Sequence, residues 1–274
     1  MLPDPEPEPA PPADHGALPF HLLPDSSEIS PEGRLSIAGV DIIDLVAEVG
    51  TPVFLYDEEH LRRRCREAVE AWGDGVAYAS KAFLCRAMAR LAAEEGMMID
   101  VSTAGELHVA LAAGVSPSRL VLHGNNKSDS ELRRALQEGV GRIVVDSFDE
   151  IDRLERLAPE LGTRPAVMVR VTPGIEAHTH EYVMTGQDDS KFGFGLASGA
   201  AAEAVARLSD PTCPVDLVGL HAHIGSQVFA LDSFEKAIAV LADFFLPLGL
   251  GELCVGGGLG VAYVDGEESP SIRY

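Results

Sequence analysis

The stretch Val76–Cys85, VAYASKAFLC, decides how the rest of the chain is read. All but Ser80 and Lys81 are aliphatic, aromatic or cysteine, the pattern of a buried strand running into a helix. Lysine is among the side chains least often fully buried, so Lys81 at the end of such a strand needs a reason. Working outward, further apolar runs of strand character begin at Met98, Leu120 and Arg142, each 22 residues after the last, and at Ala166, 24 residues on. The segments between them, LCRAMARLAAEEG, AGELHVALAAGV, DSELRRALQEGV and FDEIDRLERLAPELG, carry helical periodicity and close on or near glycine, as helix C-termini do. Strand–helix repeats of this period predict right-handed βαβ units and a parallel sheet.

Two more strands, VDLVGLHAHIGS from Val215 and ELCVGGGLG from Glu252, bring the number to seven. No G-x-G-x-x-G opens the first unit, which argues against a dinucleotide-binding fold. The register instead predicts an α/β (β/α)8 TIM barrel with seven of its eight strands present. In that fold the chemistry sits at the C-terminal ends of the strands. There the sequence places Lys81, Asp100, His123 with Asn125, Asp146, Arg170, His221 with His223, and Gly256–Gly258. Polar or glycine residues at every strand end read as a lined mouth.

Composition narrows the partners. Lys plus Arg number 21 against 43 Asp plus Glu, a formal charge of −22. Such a field repels nucleic-acid backbones and anionic lipid, so neither a nucleic acid nor a membrane is expected as partner. An anionic ligand must be held locally, by backbone amides and a few placed cations. Cys65, Cys85, Cys213 and Cys254 show no C-x-x-C pairing and no metal spacing, consistent with reduced thiols in the cytoplasm. Residues 1–30, acidic and proline-rich at the start, lack the basic start and apolar core of a signal peptide and read as a disordered tail. His178 and His180 form an H-x-H on a loop, a pattern too weak to assign a metal.

The phrases YASKAF, DVSTAGEL, HGNNKSDSEL, KFGF, HAHIGSQ and GGGLGV, in this order between Arg34 and Val264, resemble the fold type III pyridoxal-phosphate-dependent decarboxylases. The resemblance implies an alanine-racemase-like barrel, here residues 56–274, and a second β-domain to which residues 31–55 contribute. It further implies pyridoxal 5'-phosphate as cofactor, a small amino acid as substrate and a homodimer with shared active sites. HGNNKSDSEL and HAHIGSQ favour the branch that decarboxylates meso-2,6-diaminopimelate to L-lysine. Relatives acting on ornithine, arginine or carboxynorspermidine would share the same residues, and a non-catalytic binding protein could keep the barrel. The family's eighth-strand acidic motif, cysteine stretch and tyrosine are absent from the sequence, so the expectation is a barrel portion of a longer enzyme, inactive alone.

The same resemblance gives the residues roles. Lys81 becomes the lysine that takes the cofactor aldehyde as a Schiff base; burial among apolar neighbours would favour its reactive neutral amine. On residues alone, a lysine snorkelling to water is the better reading. His223 would stack on the cofactor ring and Ser226 bond its phosphate. Gly256, Gly257 and Gly258 fit a backbone nest for that phosphate. Asp100, Glu106 and Arg170 take supporting places around Lys81, each with a structural ion pair as the alternative. TGQDDSKFGF is expected as the loop after the fifth barrel strand, with Lys191 and Phe192 opening the next helix.

Overall fold

A computed structural model describes residues 19–175 and 191–273. The chain divides into two compact units, residues 1–60 with 262–266, and residues 61–261 with 267–274. In the first, β1 (Ser27–Ile29), β2 (Leu35–Ile37) and β3 (Val40–Asp41) form an antiparallel sheet in that order. Asp41 caps α1 (Ile42–Val49) by accepting from the amides of Ile43 and Asp44. Its carboxylate also accepts from the Arg34 guanidinium, which holds Asp41 well below the usual carboxylate range, at about 2.

Residues 19–30 are not all tail, as was expected of them, because β1 pairs with β2 from Ser27↔Ile37 to Ile29↔Leu35; residues 1–18 lie outside the described part. TPVFLY, residues 51–56, has the composition of a strand but pairs with no strand among the described residues. Phe54 there is 88% exposed.

The second unit follows the predicted register closely. After α2 (Glu58–Trp72) come β4 (Ala77–Ala79), α3 (Arg86–Glu94), β5 (Met98–Val101), α4 (Ala104–Ala112), β6 (Leu120–Leu122) and α5 (Asp129–Glu138). Then follow β7 (Arg142–Val145), α6 (Phe148–Leu161), β8 (Ala166–Thr172), β9 (Phe194–Gly195), α7 (Ala200–Leu208), β10 (Asp216–His221), α8 (Leu231–Phe245) and β11 (Glu252–Cys254). Seven strands run parallel in the order β11-β10-β8-β7-β6-β5-β4, with short β9 paired to β8.

Strand interiors such as Ile99, Leu120, Ile143, Val167 and Leu220 are fully buried. They pack in one core with the helix residues Leu107, Leu132, Ile151 and Leu154, as in parallel sheets covered by crossover helices. Arg142 opens β7 and Glu252 opens β11, with β8 and β10 between them. Three strand steps of about 4.8 Å would separate them by about 14 Å in a flat sheet. Their side chains nevertheless meet in a two-point ion pair, Nε to Oε2 at 2.8 Å, because the sheet curls. No described helix is long and apolar enough to cross a membrane.

Lys191 and Phe192 do not open a helix. The chain there bends into β9, whose Phe194 pairs with Val171, and α7 starts only at Ala200. Residues 176–190, with His178, His180 and most of TGQDDSKFGF, lie outside the described residues.

Candidate functional site

β4 ends at Ala79, and Lys81 stands exposed in the turn beyond it. The burial expected of Lys81 is therefore absent: the chain leaves the sheet at buried Ser80 and turns, closed by Ala82 N–H donating to Ala79 O at 3.1 Å. Lys81 thus stands just beyond the strand end, in the open turn.

His223 lies two residues past the end of β10 and is half-buried. Its imidazole is pushed down to about 4, first by burial and then by the charges of Lys81, Arg170 and His123, with Asp100 acting in the opposite sense. Charges from the ends of β4, β5, β6 and β8 thus all act on one ring, which is uncharged at neutral pH. A flat uncharged ring is suited to lie against another aromatic system. His221, buried beside it, is held well below the ordinary histidine range, chiefly by desolvation.

His123 was given no role from its sequence position. In the structure its Nε2 lies 3.2 Å from Asp100 Oδ1, and its ring meets His221 edge-on with centroids 4.7 Å apart. It joins the β5, β6 and β10 ends. Its place one residue beyond β6, shared with the other mouth residues, was the available signal.

The two glycine-bearing phrases close on each other. A Cβ on Gly256 would stand 2.4 Å from Ala222 O and 2.9 Å from His223 Nδ1. One on Gly258 would stand 1.9 Å from Gly225 O. Both residues have positive φ, +77° and +98°, where L side chains are strained. Gly257 differs: a Cβ there would meet nothing within 4 Å. Val228 N–H donates to Gly258 O and Gly260 N–H to Val228 O, each at 2.9 Å. The Gln227 carboxamide completes the clasp, donating to Val261 O at 2.9 Å and accepting from Val261 N–H at 3.0 Å. Ser226 sits half-buried in the bend just before Gln227. Gln227 is a residue the sequence reading missed; its amide is the clamp that sets HIGS beside GGG.

Arg170, on β8, is buried, and its guanidinium lies 4.4 Å from the Phe192 ring centroid and 3.5 Å from Asp146 Oδ1. Burial lowers its pKa, against the pull of Asp146. The KFGF phrase earns its glycine here: Gly193, at φ +73°, would place a Cβ 2.7 Å from Arg170 O, and its N–H donates to Asp146 Oδ2 at 3.0 Å. Glu106 is tied up at the start of α4, accepting from Ser102 N–H at 2.7 Å and from the Thr103 hydroxyl at 3.2 Å. The N-cap of α4 is Thr103, whose hydroxyl accepts from Glu106 N–H at 3.1 Å, and the Glu106 carboxylate ties down the turn that leads into it.

Would this mouth suit a phosphorylated aromatic aldehyde? Five buried side-chain polar atoms lack hydrogen-bond partners among the described residues; three, Ser80 Oγ, Asp146 Oδ1 and His221 Nδ1, stand at the ends of β4, β7 and β10. Asp146 Oδ1 has only its ion pair with Arg170 at 3.5 Å; buried polar atoms without hydrogen bonds are costly, and their gathering at one end marks a place built for a polar ligand. With an amine on Lys81 for an aldehyde, an uncharged imidazole for a ring, and bare backbone around Gly257 for a phosphate, the residues fit pyridoxal phosphate.

Residues 58–273 match the sequence model of the pyridoxal-dependent decarboxylases, pyridoxal-binding domain. The diaminopimelate decarboxylase of Mycobacterium tuberculosis is 49% identical over 252 residues, covering 88% of this chain and 56% of that protein. That of Bacillus subtilis is 42% identical over 258 residues, covering 90% and 58%. Among solved structures, the diaminopimelate decarboxylase of M. jannaschii in complex with L-lysine superposes with a TM-score of 0.83 at 31% identity, over 91% of this chain and 60% of that one. The chain thus spans about half the length of the curated relatives it matches. By fold, by the make-up of the mouth and by a family match over most of its residues, this chain belongs to the pyridoxal-dependent decarboxylases.

Proposed function

We propose that the whole protein is a pyridoxal-phosphate-dependent carboxy-lyase that converts meso-2,6-diaminopimelate to L-lysine and CO₂. The observation that carries the site assignment is Gly256 packed against the His223 ring, with His123 joining Asp100 and His221 at the neighbouring strand ends. The substrate follows from the relatives at 40–49% identity, all diaminopimelate decarboxylases. In this reading Lys81 holds the cofactor covalently through its aldehyde carbon. His223 lies on the ring and keeps water from that face, and being uncharged it adds no repulsion to a protonated pyridine. Ser226 and the amides of Gly256–Gly258 bind the phosphate, which answers how a chain of charge −22 retains an anion. Arg170, held by Phe192, and Asp100, held by His123, line the mouth. Glu106 supports it by holding the Ser102–Thr103 turn after β5. The bound cofactor supplies the electron sink that decarboxylation requires. We assign residues 31–55 to a second β-domain and the whole protein to a cytoplasmic homodimer with shared active sites.

Borohydride reduction in the presence of pyridoxal phosphate, followed by peptide mapping, should place the adduct on Lys81 and lose it in Lys81→Ala. An adduct on Lys127 or Lys191 would overturn the assignment. CO₂ release should be far faster from meso-diaminopimelate than from ornithine, arginine or lysine. A comparable or higher kcat/KM on ornithine would move the protein to another branch.

A further inference from the structure

Lys127, from HGNNKSDSEL, is a second lysine near the mouth, and it is of the opposite kind to Lys81. Its side chain is 1% exposed and that of Glu150 4%. The ammonium spends all three protons inside the protein, on Gly124 O, Val144 O and Glu150 Oε1, each at 2.7 Å. Gly124 follows His123 directly, and Val144 lies two residues before Asp146. The other Glu150 oxygen accepts from Asp146 N–H at 3.3 Å. Asp146 in turn accepts from Gly193 N–H at 3.0 Å and faces Arg170 at 3.5 Å.

A buried ion pair is a poor way to add stability, since apolar residues of similar volume do as well or better once desolvation is counted. Its best-attested use is to fix one arrangement among several. The contacts of this pair all run toward the strand ends. We propose that Lys127 is a positioning residue of the cofactor mouth: it locks the loop after β6 that carries His123 and, through Glu150 and Asp146, sets Arg170. This inference rests on the mouth being the pyridoxal phosphate site. Lys127 itself touches neither cofactor nor substrate.

The test separates positioning from mere stability, in the full-length protein. Lys127→Met strands a buried carboxylate and should lower the melting temperature sharply. The double variant Lys127→Met/Glu150→Leu removes both charges, so its melting should return close to the parent. Its affinity for pyridoxal phosphate, from absorbance titration, should still fall by about tenfold, ~1.4 kcal/mol, with a weakened visible circular dichroism of the bound ring. Asp146→Asn leaves the Lys127–Glu150 pair intact and cuts the line further down. It keeps the acceptor for Gly193 N–H but leaves buried Arg170 without its counter-charge, so it should show the same affinity loss together with lower melting. Parent-like affinity and dichroism in either folded variant overturn the proposal. A parent protein that binds no pyridoxal phosphate would instead overturn the cofactor reading beneath it, and the positioning role would go with it.

Discussion

Gly257 and Gly258 are neighbours in one glycine run, yet alanine should do opposite things at the two positions. At Gly258 the new Cβ meets a backbone oxygen, Gly225 O, at 1.9 Å, in a conformation with φ +98°. The left-handed conformation costs an alanine about 1–2 kcal/mol, and an unrelieved clash in packed structure about 1–3 kcal/mol. No side-chain rotation can relieve it, because the obstacle is main chain in the turn that carries Ser226. Gly258→Ala should therefore lose about 2–5 kcal/mol, or roughly 6–15 °C at about 3 °C per kcal/mol. At Gly257 nothing lies within 4 Å, so Gly257→Ala should stay within about 0.5 kcal/mol of the parent, as surface substitutions do. If that open space receives the phosphate, the same methyl should weaken pyridoxal phosphate about tenfold. Urea or thermal unfolding of the apo protein and a cofactor titration read both effects. A Gly258→Ala protein that melts with the parent, or a Gly257→Ala protein that binds pyridoxal phosphate normally, would refute the geometry argued for the phosphate cradle.

The remaining predictions concern pH, Glu106 and the KFGF turn. His223 sits at about 4 in the fold against 6.5 as a free group, so between these values the unfolded chain binds the extra proton. The stability associated with neutral His223 is complete above pH 6.5 and falls with pH down to about 4, by about 3 kcal/mol at most at 1.36 kcal/mol per pH unit. In His223→Gln that part of the acid dependence should vanish, and an unchanged slope of stability against pH would count against the burial of a neutral ring. Glu106→Ala should cost about 1 kcal/mol through the hydrogen bonds it loses to Ser102 N–H and the Thr103 hydroxyl while leaving the borohydride adduct on Lys81. Loss of that adduct in a folded Glu106→Ala protein would restore Glu106 to the lysine's own surroundings. Gly193→Ala, whose Cβ would press on Arg170 O at 2.7 Å, should unfold at lower temperature than the parent by several degrees, and a neutral effect in thermal melts would show that the turn can give way.

The fold was legible because its signals are local. Strand starts at Met98, Leu120, Arg142, Ala166 and Glu252 coincide with the apolar runs, since a parallel strand covered on both faces must be apolar along its length. Glycines after α5 and α6 mark the stops, both in left-handed C-caps at Gly139 and Gly162. Strand-end position likewise singled out Lys81, His223 and the glycine run without any knowledge of contacts. Where expectation failed, the deciding quantity was burial or a partner distant in sequence. Lys81 sits in an apolar stretch and Lys127 in the polar GNNKSDS, yet the first lies in an exposed turn and the second is sealed against Glu150, 23 residues away. TPVFLY has strand composition, but a strand needs a partner, and composition does not supply one.

Only the tertiary structure could sort the acidic and histidine candidates. Glu106 turned back onto Ser102 N–H and the Thr103 hydroxyl, while Asp100 found His123 across the β5–β6 step. His123 acquired its place from His221, 98 residues on, and Gln227 from Val261, 34 residues on. Side-chain type and strand register are written residue by residue, so the sequence by itself determined the barrel order and the inventory of its mouth. Which oxygen faces which nitrogen depends on how the sheet curls and where the turns send each side chain. That is a property of packing between segments remote in sequence, and it exists only once the chain has folded.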